Sequence, residues 1–232
     1  MKPRMDPGIK SGIQAGMPIA LGYFPIAIAF GALAGQAQLN WLEGVMMSGL
    51  VFAGASQFVA VSMILAGSGS LQILTTTFFL NLRHLIMSLA VNQQMKEFSL
   101  ARKGGLSFFI TDETFAFLTL GDEIDGQDKT PGFMAGLMIT AYLGWVSGTL
   151  VGGLGANFIP PQITTAMTVG LYGLFIGLLV PPALKSRPFA LIAILSMVLN
   201  WGLSRCLDSG WAIVLSTVLA AGLGISILGD EK

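Results

Sequence analysis

An all-α, polytopic membrane helical bundle is the fold class this sequence predicts, and three observations carry it. Of 232 residues, 53% are hydrophobic and only 10% charged, whereas soluble domains carry roughly 25% charged residues. The apolar residues fall in eight long continuous runs, not in the strict alternation of a barrel strand. The connections between runs are too short to hold a soluble domain. In lipid only helices and closed barrels satisfy the backbone, so continuous runs mean helices. The chain 1–232 therefore reads as a single transmembrane domain, with a short cytoplasmic N-terminal tail at 1–12.

The eight segments are 13–36, 42–65, 71–93, 104–121, 133–157, 164–183, 189–207 and 211–228. Most approach the roughly 20 residues a helix needs to span. The basic start (Lys2, Arg4, Lys10) resembles a signal peptide, but the run from Ile13 is longer than a signal core, so it predicts a retained first membrane segment. Pro18 and Pro25, with Gly22 between them, would free the carbonyls of Gln14 and Leu21. The expectation is a broken first helix, with a merely kinked one as the alternative; a break at membrane depth would line a cavity. In the second segment Gly49, Ala53, Ser56 and Ala60 fall on one helical face, a close-packing stripe, with Gln57 beside it. Gln57 either bonds a neighbouring helix or contacts a ligand.

The third segment, 71–93, carries the most expensive feature. Asn81, Arg83 and the only histidine, His84, sit in its middle. An arginine at the bilayer centre costs about 2.5–3.5 kcal/mol on insertion scales, so it needs a partner or a wet cavity. Thr77, Asn81, His84 and Ser88 share one stripe, within about 60° of arc at a 100° step. Arg83 points about 100° away and is expected to face a different neighbour. The fourth segment places Asp112 and Glu113 near its middle, flanked by Thr111 and Thr114. These acids have the sign that Arg83 lacks, so the two groups are expected to meet inside the bundle. The alternative is a shallow or re-entrant segment with its acids in water.

The stretch 122–132 reads as a solvated acidic turn. The fifth segment spaces Gly136, Thr140, Gly144, Gly148 and Gly152 four apart, which predicts a helix pressed close against it. Gly170, Gly173 and Gly177 share a face of the sixth. Segments seven and eight are apolar, with Arg205 near a helix end and expected to snorkel. Eight full crossings with the N-terminus inside put Lys185 and Arg187 inside but Lys96, Arg102 and Lys103 outside, against the positive-inside preference. Making one of the first three segments and the fourth re-entrant would remove that conflict, leaving fewer than eight complete crossings. Balanced charge, 12 basic against 12 acidic residues, gives no reason to expect a nucleic-acid partner. A single cysteine, Cys206, excludes an internal disulfide, and no phosphate loop, cofactor fingerprint or nucleophile elbow appears, so no cofactor and no enzyme is expected.

Several stretches, in order, resemble the AzlC family: PIALGYFPIAIAFG (18–31), VFAGASQF (51–58), TTTFFLNLRHLIMSL (75–89), FFITDETFA (108–116) and LFIGLLVPPAL (174–184). FAGASQF, NLRH and TDE together make the match specific. The resemblance implies the larger component of a branched-chain amino acid transporter in the cell inner membrane, an exporter or importer driven by an ion or proton gradient. It implies a small AzlD-type membrane subunit as partner and leaves a homo-oligomer open. On that reading the substrate site draws on Tyr23, Pro25, Ser56, Gln57, Asn81 and Arg83, with Phe24 and Phe58 in its apolar wall. His84, Asp112 and Glu113 are the candidates for proton or ion coupling. The competing reading is a non-transporting scaffold or assembly subunit, in which Arg83, Asp112 and Glu113 form a structural ion-pair network.

Overall fold

The computed structural model describes residues 7–120, 130–156, 179–207 and 209–228, with isolated positions between 158 and 177. The helices are α1 (Pro7–Gln36), α2 (Trp41–Leu50), α3 (Gly54–Leu65), α4 (Ser70–Asn92), α5 (Leu100–Ser107), α6 (Asp112–Leu120), α7 (Pro131–Gly155), α8 (Arg187–Leu203) and α9 (Ser209–Leu228). Residues 179–185 are helical too, and no strand occurs among the described residues. The expected sixth segment, 164–183, and the acidic turn, 122–132, lie largely outside them. The bundle is all-α, as the continuous apolar runs required. α1, α4 and α7 are long and apolar enough to cross a membrane by length and composition.

Helix starts follow local chemistry. Asn40 caps α2 by accepting the Glu43 N–H at 3.0 Å, while Glu43 Oε2 accepts the Asn40 N–H at 2.7 Å. Thr130 caps α7 at Phe133 and Ser186 caps α8 at Phe189, each just ahead of a proline in the first turn.

α1 and α7 form the packed spine. The four-residue stripe of α7 faces α1 backbone to backbone: a Cβ on Gly148 would stand 2.5 Å from the Phe24 carbonyl oxygen and 2.7 Å from Ala27 Cβ. Gly136 meets Ile9, Gly144 meets Ala20 and Gly152 meets Ile28 in the same manner. The break expected in the first helix is absent: α1 is continuous through Pro18 and Pro25. The reason is this spine. Contacts with α7 lie before, between and beyond the two prolines, so each lost hydrogen bond is outweighed by the packing of the turns around it.

The breaks lie instead in the second and fourth segments. α2 and α3 are separated at 51–53, where Phe52 has a left-handed φ of 44°. α5 and α6 are separated at 108–111. At 1.5 Å per residue each of these four pieces is at most about 18 Å long, well short of a roughly 30 Å hydrocarbon core. The close-packing stripe expected across Gly49, Ala53, Ser56 and Ala60 is therefore not continuous, because the chain turns in its middle. A non-glycine residue at positive φ is a strained position. Phe52 is held there by its surroundings: it is 2% exposed, and its ring packs edge-on against Tyr142 and Tyr23 at 5.0 and 6.4 Å.

Candidate functional site

The two breaks meet the spine at one place. A small cavity is walled by Tyr23 and Ile26 of α1, by Phe52–Ala55 at the first break, by Arg83 and His84 of α4, by Thr111–Glu113 at the second break and by Trp145 of α7. Its volume, about 30 Å³, is room for one or two water molecules. Both breaks present a helix start to it: Gly54 and Ala55 open α3, and Asp112 and Glu113 open α6. Helix N-termini carry partial positive charge, so the acids in the first turn of α6 are well placed.

The start of α6 is set by a reciprocal pair. The Thr111 N–H donates to Thr114 Oγ1 at 2.9 Å and the Thr114 N–H donates to Thr111 Oγ1 at 3.3 Å. This is a capping box with threonine in place of the usual glutamate. It fixes Asp112 and Glu113 where they can reach the other wall. Asp112 Oδ2 pairs with Arg83 Nη1 at 2.9 Å. Glu113 Oε2 accepts the Tyr23 hydroxyl hydrogen in a short contact, and the Tyr23 oxygen lies 2.7 Å from Thr111 Oγ1. The opposite charges expected to meet inside the bundle do meet, and α1 joins them through Tyr23.

Of the residues the sequence singled out, Tyr23, Arg83, His84, Asp112 and Glu113 line this cavity. Arg83 and His84 share it, although helical spacing assigned them different neighbours. Pro25 and Phe24 do not reach it. Both are exposed, and Phe24 meets α7 through its backbone carbonyl. Phe58 is buried against Phe30 at 5.6 Å, in the core and not in the cavity wall. Ser56, Gln57 and Asn81 border a second, larger space of about 700 Å³ between α2, α3 and α4, with Thr77 and Phe78. Asn81 Oδ1 is buried there without a hydrogen-bond partner. Ser56 Oγ donates to the Ala53 carbonyl at 2.9 Å.

Sequence reasoning missed the α2–α3 break and Trp145. Trp145 is 3% exposed and packs edge-on against Tyr23 at 5.5 Å. A lone tryptophan in the middle of a glycine-striped membrane helix was the available signal. Among the described residues no group of His, Cys, Asp and Glu side chains converges as a metal site.

The AzlC protein family model matches residues 18–159, a stretch that contains every wall of the charged cavity. The chain belongs to the AzlC family. Its relatives include an uncharacterized membrane protein of Archaeoglobus fulgidus, 33% identical over 77% of each chain. The inner membrane protein YgaZ of Escherichia coli is 28% identical over 83% of this chain and 82% of that one. The branched-chain amino acid transport protein AzlC of Bacillus subtilis is 24% identical over 77% of this chain and 69% of its own. No solved structure matches. With these relatives and its apolar helices the chain is an integral membrane protein.

Proposed function

We propose that this AzlC-family chain is a secondary transporter of branched-chain amino acids such as valine, working as an exporter from the cell interior. The observation that carries the reading is the Arg83–Asp112 pair, 2.9 Å apart at the junction of two broken helices. A zwitterion offers the two charges this pair already holds. Its carboxylate can take Arg83, and its ammonium can take Asp112, so the substrate replaces the internal pair ion for ion. As it stands the cavity is too small for an aliphatic side chain, so the arrangement is the closed, self-paired state. Opening it separates α4 from α6. Glu113, held by Tyr23, and His84 stand beside the pair and are the groups available to carry a coupled proton. The Bacillus subtilis relative's name supports the substrate class.

A small AzlD-type membrane subunit belongs to this reading. Among the described residues α8 has none fully buried and α4 only Thr76, Met87 and Val91, which supports a partner helix against them. On this reading the N-terminus is cytoplasmic.

The test is flux of labelled valine in liposomes across an imposed pH gradient, with and without the small subunit. Wild-type protein moves valine; Arg83→Ala and Asp112→Asn reach the membrane and do not. Undiminished flux in both variants sinks the charged-site mechanism. Absence of wild-type flux under every condition favours the scaffold reading instead.

A further inference from the structure

Gln57 is buried, and its side chain closes a circuit of hydrogen bonds that begins and ends on Trp145. The Trp145 indole N–H donates to Gln57 Oε1 at 3.2 Å, and the Ala53 backbone N–H donates to the same oxygen at 3.2 Å. Two N–H donors converging on one end identify that end as the oxygen. The amide nitrogen then donates to Ser48 Oγ at 3.0 Å. Ser48, which accepts from Gln57, donates to Thr149 Oγ1 at 2.7 Å, and Thr149 donates to the Trp145 carbonyl at 3.0 Å. Ser48, Gln57, Trp145 and Thr149 are each at most 3% exposed.

The circuit has a place in the fold. Ala53 lies in the α2–α3 break, where its N–H has left the helical ladder. The carbonyl it would otherwise use, that of Gly49, is taken by the Tyr142 hydroxyl at 3.0 Å. Gln57 therefore replaces the lost partner and ties the break to α7, the packed half of the spine. Its own N–H still bonds the Ala53 carbonyl at 3.0 Å. Gln57 does not itself line the charged cavity; Ala53, whose N–H it holds, lines it together with Gly54 and Ala55.

We propose that Gln57 is a positioning residue: it sets the backbone of Ala53–Ala55 against Trp145 and so fixes the wall facing Arg83, without itself contacting the transported solute. Glutamine meets all the demands at this length. An ionised glutamate cannot donate to Ser48, methionine has no donor and only a weak acceptor, and asparagine is one carbon short. This deepens the transport reading and rests on it for the solute.

The full chain in proteoliposomes carries the test, with Gln57→Met, Ser48→Ala and the double variant. Gln57→Met removes the acceptor for two buried donors and should raise the apparent KM for valine and leucine together, roughly tenfold or more, with their ratio unchanged. Ser48→Ala should move KM the same way by less, and the double variant should not add, because one circuit is broken in both. Amide exchange of residues 52–57 should quicken in Gln57→Met while that of α1 and α7 is kept. A changed valine-to-leucine ratio would make Gln57 a direct contact and overturn the proposal, as would wild-type KM with wild-type exchange. If the wild-type chain moves neither amino acid, the transport reading fails, and the exchange comparison alone decides whether Gln57 holds the wall.

Discussion

Charge removal at the Arg83–Asp112 pair separates a solute-exchange site from a purely structural ion pair. The perturbation is a double-mutant cycle of Arg83→Gln and Asp112→Asn. The pair is 2.9 Å long with side chains 32% and 25% exposed, so it is neither a surface bridge nor a dry one. Exposed pairs contribute about 0–1 kcal/mol, and breaking a buried pair costs about 3–5 kcal/mol. Between these limits each single variant should lose about 1–3 kcal/mol of stability, read as a drop of a few degrees in the unfolding temperature of purified protein. The double variant should recover most of that loss, because no uncompensated charge remains. Flux should behave differently. A solute that replaces the pair ion for ion needs both charges, so the double variant should be as inactive as either single one. A purely structural pair would show flux returning with stability. Recovery of flux in the double variant refutes the exchange mechanism.

Three further outcomes follow from the same geometry. Tyr23→Phe removes the hydroxyl shared by Glu113 and Thr111 and should cost about 1–3 kcal/mol, seen as a lower unfolding temperature together with reduced flux. Gly148→Val drives a branched Cβ into the Phe24 carbonyl at 2.5 Å; the spine cannot yield there, and the yield of folded, membrane-inserted protein should collapse. Pro25→Ala, at an exposed position of the continuous α1, should leave flux intact and raise stability, since proline in a helix interior is about 3 kcal/mol worse than alanine. Loss of flux in Pro25→Ala with normal folding would show that the proline serves the site after all.

The features legible in the sequence were those whose cost or period is unmistakable. The glycine spacing of α7 announced a close neighbour, and that neighbour is α1. Arg83 and the Asp112–Glu113 pair are too costly in an apolar bundle to be left apart, and Asp112 meets Arg83. The breaks were misplaced because prolines are the visible helix breakers, and here packing holds the helix through them. The real break at Phe52 carries no proline; its turn comes from tertiary contacts, an aromatic cluster on one side and the Gln57 circuit on the other. The second break was half legible. Thr111 and Thr114, three apart with acids between them, are a helix-start pattern, overlooked because the apolar run 104–121 looked continuous.

The strongest physical argument for a moving site is the contrast between its two sides. α1 and α7 interlock backbone to backbone, so neither can slide without clashes along several turns. Among the described residues α4, which carries Arg83 and His84, buries only Thr76, Met87 and Val91 fully. The cation therefore rides on the less deeply packed helix, and its acid partner Asp112 sits on a short helix fragment at the second break. A charge in a membrane interior must keep a partner through any displacement. On the proposed transport reading an incoming carboxylate offers Arg83 a new partner as it leaves Asp112, so the substrate would lower the barrier to the motion that carries it.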